Sequence, residues 1–154
     1  MLDVLLPRDR SHPGELRVAE DGQLLAVFPV LGRGSRGPGS TWHLANGNTP
    51  TGDYDGRFET PSGWPRHSYG RWGVVRLVPV SGNALMAQSV FGRTGLLIHA
   101  GGLNAQGGLR PTYGCLRVGE SDMLRLRRII EQRQHDDAAG RCQTVELHVL
   151  VREY

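Results

Sequence analysis

The chain has 154 residues, 38% hydrophobic and 21% charged, with 22 glycines and a formal net charge of +3. This length suits one domain over 1–154, with its core at about 14–151, and the composition argues against a disordered or membrane-spanning chain. All 18 basic residues are arginine, which excludes Schiff-base lysines, Ser-Lys dyads and phosphate-loop lysines.

The apolar run at Met1–Pro7 is short and carries Asp3. It is no signal-peptide core, and no window is long enough to span a membrane. Glu15 to Val30 reads as a hairpin. Leu16 and Val18 alternate with charged neighbours, Asp21-Gly22 is a two-residue turn signal, and Leu24, Ala26, Phe28 and Val30 share one face of the return strand. Gly32 to Ser40 is a glycine- and serine-rich loop. In Thr49-Pro50-Thr51-Gly52-Asp53-Tyr54, Pro50 fixes its own φ and Gly52 is free to take a positive one, as a turn entering a strand requires.

Pro61 to Gly70 reads as irregular, Val74 to Val80 as a strand and Ser81-Gly82-Asn83 as a turn. Trp42, Trp64 and Trp72 are assigned to the core, with the lining of a substrate groove as the alternative. Leu96-Leu97-Ile98 is a short buried-strand pattern ending at His99, followed by a loop over Gly101 to Gly108. One helix is expected from about Asp122 to His135, capped by Ser121, with Met123, Leu126, Ile129 and Ile130 on its inner face. A final strand alternates Val145, Leu147, Val149 and Val151 with Glu146, His148 and Leu150. The sum is a mainly β domain with one main helix.

Two segments carry chemistry. Gly92-Arg93-Thr94-Gly95-Leu96-Leu97-Ile98-His99-Ala100-Gly101-Gly102 ends a buried strand in a histidine that faces a glycine-rich mouth. Leu109-Arg110-Pro111-Thr112-Tyr113-Gly114-Cys115-Leu116-Arg117-Val118 then places a cysteine after a glycine in a tight turn. A thiol needs a base or a lowered pKa to become a strong nucleophile, and an imidazole supplies both. Such a turn can aim successive N–H groups at one point, as an oxyanion hole does. Papain-type enzymes place the cysteine before the histidine; here the order is reversed. No Cys-x-x-Cys or His-Glu-x-x-His spacing suggests a metal, and no cofactor is expected. Cys142 reads as structural. The arginines at 125, 127, 128 and 133 read as a solvated helix face rather than a nucleic-acid stripe.

The segment from His99 to Arg117, together with Thr49-Pro50-Thr51-Gly52, resembles the L,D-transpeptidase (YkuD-like) catalytic family. The family's signature is His-Gly, a variable loop, Ser/Thr-His-Gly-Cys, an apolar residue, then Arg or Asn. His99, Thr112, Gly114, Cys115, Leu116 and Arg117 match it; Ala100 and Tyr113 depart from it. The resemblance implies a β-sandwich of mixed sheets with its main helix after the cysteine. It implies Cys115 as nucleophile and His99 as base, cleaving the bond between a diamino acid and D-alanine in peptidoglycan stem peptides. Ala100 would hold the imidazole tautomer by its carbonyl. The N–H groups of Tyr113, Gly114 and Cys115, beside Thr112, would form the oxyanion hole, and Arg117 and Arg93 would bind substrate carboxylates. An amine acceptor gives a cross-link and water gives a carboxypeptidase. A wall-degrading effector toxin and a non-catalytic wall-binding β domain are the alternatives. Carbapenem-type lactams are the implied inhibitors. A monomer acting at the cell wall or periplasm is expected, by an export route the sequence leaves open.

Overall fold

The computed structural model describes residues 1–137 and 146–154. The assignment of Cys142 and the start of the last strand at Val145 fall outside the described residues. Eight strands form one mixed sheet: β1 (Leu2–Leu6), β2 (Gly14–Glu20), β3 (Gln23–Val30), β4 (Gly52–Glu59), β5 (Val74–Pro79), β6 (Leu97–His99), β7 (Leu116–Arg117) and β8 (Leu147–Glu153). Their spatial order is β3-β2-β1-β8-β4-β5-β6-β7. Pairs β1/β8 and β6/β7 are parallel; the others are antiparallel. The mainly β class holds, and the mixed sheets expected as a sandwich are one continuous sheet that curls nearly into a barrel. Its two edges meet where Leu31 and Arg117 exchange backbone hydrogen bonds of 2.9 Å each way.

The β2–β3 hairpin turns at Asp21 (φ 48°) and Gly22 (φ 79°), the paired positive values of a type I′ turn. Along β2 the buried positions are Gly14, Leu16 and Val18, with charged residues between them facing solvent, as the period of two dictates. β1 had no assignment from the sequence. It lies between β2 and β8, with Leu2, Val4 and Leu6 fully buried.

Three helices occur among the described residues: α1 (Arg66–Tyr69), α2 (Gly82–Ser89) and α3 (Glu120–Asp137). Two of them correct the sequence reading, since α1 lies in the segment taken as irregular and α2 begins inside the segment taken as a turn. α3 starts at Glu120, so Ser121 stands inside the first turn rather than capping it. Met123, Leu126 and Ile130 of α3 are buried in the same core cluster as Val4, Phe28, Ile98 and Leu116 of the sheet, on the face that 3.6-residue periodicity selects. Of the three tryptophans, Trp72 alone packs against the core. Trp64 is exposed and Trp42 half-buried, which corrects their assignment to it.

Candidate active site

β6 and β7 run side by side in parallel, with Ile98 opposite Leu116 and His99 opposite Arg117. The register sets Cys115, the residue before β7, level with Leu97, two positions before His99, and the period of two puts the Cys115 and His99 side chains on the same face of the sheet. Both side chains line a groove of about 650 Å³, whose walls include Ser68, Tyr69, Phe91, Gly95, Arg110 and Tyr113.

His99 is buried, and its Nδ1 lies 2.6 Å from the Ala100 carbonyl oxygen. A carbonyl only accepts, so Nδ1 carries the proton and donates, which leaves Nε2 as the basic nitrogen. Burial lowers the His99 pKa to about 4. The Ala100 hydrogen bond opposes this, and the positive charge of Arg117 adds to it. The ring is therefore neutral at pH 7. Tyr69 packs its ring against the imidazole at 5.2 Å, tilted by 54°.

Cys115 is a free thiol and half-buried. Its Sγ lies 3.8 Å from the Gly95 carbonyl. Burial pushes its pKa up, while a backbone hydrogen bond from Leu97 and the guanidinium groups of Arg117 and Arg93 pull it down. With the thiol raised and the imidazole lowered, the resting pair is neutral rather than thiolate–imidazolium.

The Gly-Cys turn is built by contacts from distant segments. Gly114 has φ +116°, and a Cβ there would meet Arg93 Nη2 at 2.1 Å. The Gly114 carbonyl accepts a 2.8 Å hydrogen bond from the hydroxyl of Thr49, which is fully buried. Thr112 Oγ1 donates to the Cys115 carbonyl at 2.9 Å and accepts from the Gly114 N–H at 3.0 Å. Of the three N–H groups expected in the oxyanion hole, that of Gly114 is engaged by Thr112, and those of Tyr113 and Cys115 have no hydrogen-bond partner among the described residues. Thr112 thus shapes the turn. Tyr113 is 75% exposed at the groove mouth.

Arg117 and Arg93 are buried, and their guanidinium groups bond to carbonyls rather than standing free for a ligand. Arg117 donates to Ala100 at 3.0 Å and to Ser68 at 3.4 Å. Arg93 donates to Asn48 at 2.8 Å, to Gly47 at 3.1 Å and to Trp42. Neither has a carboxylate partner among the described residues. Ala100 is fully buried, and its methyl group fits because it faces Gly70, where a Cβ would lie 2.8 Å from it. Tyr69, Ser68, Gly95 and Arg110 were not found from the sequence. Gly95 and Arg110 sit inside the segments already singled out; Ser68 and Tyr69 reach the site only through long-range folding.

No family model matches the sequence, and no curated protein matches it. Solved structures do. The structure of Bdellovibrio bacteriovorus Bd1075 aligns over 99% of this chain and 47% of that one, at 14% identity and a TM-score of 0.58. The structural neighbours also include L,D-transpeptidases. Mycobacterium tuberculosis L,D-transpeptidase 1 aligns over 97% of this chain and 60% of its own, at 14% identity and a TM-score of 0.46. An L,D-transpeptidase solved in complex with imipenem aligns over 98% and 58%, at 15% identity and 0.44. The chain thus spans about half of Bd1075 and three-fifths of the transpeptidase chains. At 14% identity the likeness to Bd1075 concerns the fold alone, and the two weaker alignments carry no argument about activity.

Proposed function

We propose that this domain is a cysteine acyltransferase of the L,D-transpeptidase type, acting on peptidoglycan stem peptides. The observation that carries this reading is a cysteine and a neutral, tautomer-locked histidine lining one groove. Entry of a substrate carbonyl couples loss of the thiol proton to C–S bond formation. His99 Nε2 accepts that proton as Cys115 Sγ attacks the carbonyl carbon between the diamino acid and D-alanine. The oxyanion meets the N–H groups of Tyr113 and Cys115, in the field of Arg93 and Arg117. The C–N bond then breaks, its electron pair leaving with the D-alanine amine, which takes the proton from His99. A thioester on Cys115 remains, and an amine or water resolves it to a cross-link or a free acid.

The test is mass spectrometry after incubation with a carbapenem, alongside product analysis on purified muropeptides. The wild-type protein should gain the mass of one lactam and consume stem tetrapeptides; C115A should do neither. Dimers would report transpeptidation, and shortened monomers with free D-alanine would report hydrolysis, the reaction of a wall-degrading effector. Turnover retained in C115A would overturn the mechanism. Binding to sacculi with an unchanged muropeptide profile would mark a non-catalytic wall-binding domain. Action at the cell wall and the monomeric state belong to the same proposal.

A further inference from the structure

α1 is a partition. Ser68 and Tyr69 line the groove that holds Cys115 and His99, whereas Arg66 and His67 line a second hollow of about 490 Å³ on the other side. Arg71, Trp72, Gly101, Gly102, Leu103 and Glu120 complete it. Glycine makes the concavity: a Cβ on Gly102 would lie 2.5 Å from the His67 ring, and Gly101 holds φ +136° with Arg117 directly behind it. The hollow begins two residues beyond His99. Arg110 joins it to the groove, lining the groove while donating to the carbonyls of Gly102 at 2.7 Å and His67 at 2.8 Å.

Its charges are unmatched. The guanidinium groups of Arg66 and Arg71 have no hydrogen-bond or ion-pair partner among the described residues. The one carboxylate, Glu120, is turned toward the backbone, where it accepts the Arg71 N–H at 3.3 Å. Two free planar forks around a glycine-floored hollow, with the Trp72 ring as an apolar wall, match a carboxylate on an organic stem.

We propose that this second hollow is a subsite for a free carboxylate of the peptide substrate, gripped by Arg66 and Arg71. The proposal deepens the reading above and rests on it for the substrate class. α1 then divides the bound peptide, with the scissile amide on the Tyr69 side and an acidic arm crossing to the Arg66 side. Arg66 and Arg71 are exposed, so their substitution leaves the core intact.

Binding is measured on C115A, which holds the peptide without reacting, by titrating a synthetic stem tetrapeptide ending in diamino acid–D-alanine and following tryptophan fluorescence. A second peptide carries a carboxamide in place of every carboxylate. R66Q/R71Q on the C115A background should weaken binding of the carboxylate peptide roughly tenfold and leave binding of the carboxamide peptide unchanged. Binding of the carboxylate peptide should also weaken as salt rises. Equal affinities for both peptides, no loss in R66Q/R71Q, or no binding at all would overturn the subsite. Turnover by the wild-type protein tests the acyltransferase reading separately, so an active enzyme with an indifferent hollow is distinguishable from an inactive one.

Discussion

Arg93 and Arg117 are buried cations with no carboxylate partner among the described residues, and donation to backbone carbonyls offsets part of the cost of burying their charge. Both act on Cys115, whose negative form they favour. Arg93→Met should therefore raise the thiol pKa further and slow iodoacetamide alkylation at a fixed pH near 8. Arg93→Lys should recover little, because one ammonium cannot reach the carbonyls of Trp42, Gly47 and Asn48 as the fork does. His99 yields a pH prediction. Its folded pKa of about 4 lies below the ordinary 6.5, so between these values the unfolded chain binds more protons. Stability is fully present above pH 6.5 and falls toward pH 4, by on the order of 3 kcal/mol. Urea midpoints at pH 7 and pH 4.5 should reveal that loss in the wild-type protein and a smaller one in His99→Gln. The acid limb of kcat/KM should likewise lie near pH 4, since only the neutral ring can take a proton.

Among the elements, the turn that carries Cys115 depends on a tether from the chain just before β4. Thr49→Val should remove the hydrogen bond to the Gly114 carbonyl, cost about 1–2 kcal/mol in chemical denaturation and lower kcat, with Thr49→Ser restoring both. Gly114→Ala combines a positive φ with a collision on Arg93 and should cost at least about 2 kcal/mol. The sequence told part of this. The Asp21-Gly22 turn, the alternation in β2 and β8, the inner face of α3 and the His99 and Cys115 segments were all readable, because each is a local pattern of period or turn chemistry. β1 was not, because five apolar-rich residues do not say which strands they will join. α1 and α2 were missed because one is a single turn and the other, Gly82–Ser89, has exposed Leu85 and Met86 and so no clean apolar stripe. The engagement of the Gly114 N–H by Thr112, and of Arg93 and Arg117 by carbonyls, depends on side-chain geometry that residue types alone leave open.

At the scale of the whole molecule, β1 and β8 join two halves of one sheet. One half is the β2–β3 hairpin; the other runs β4-β5-β6-β7 and carries the groove. Deleting Leu2–Leu6 would leave β8 and β2 with unpaired inner edges and remove three fully buried side chains. The truncated protein should show no cooperative thermal transition in far-ultraviolet circular dichroism, whereas Leu24→Ala, at a position 57% exposed on the hairpin, should melt within a few degrees of the parent.

The place of β8 has a consequence for biosynthesis. The ribosome releases this strand after every other one, yet it sits between β1, which emerges first, and β4. Until it arrives, nascent β1 and β4 have no neighbour on that side, and the cradle around the thiol lacks its scaffold. Translation order thus keeps the Cys115 groove unassembled until the last of the eight strands has been made.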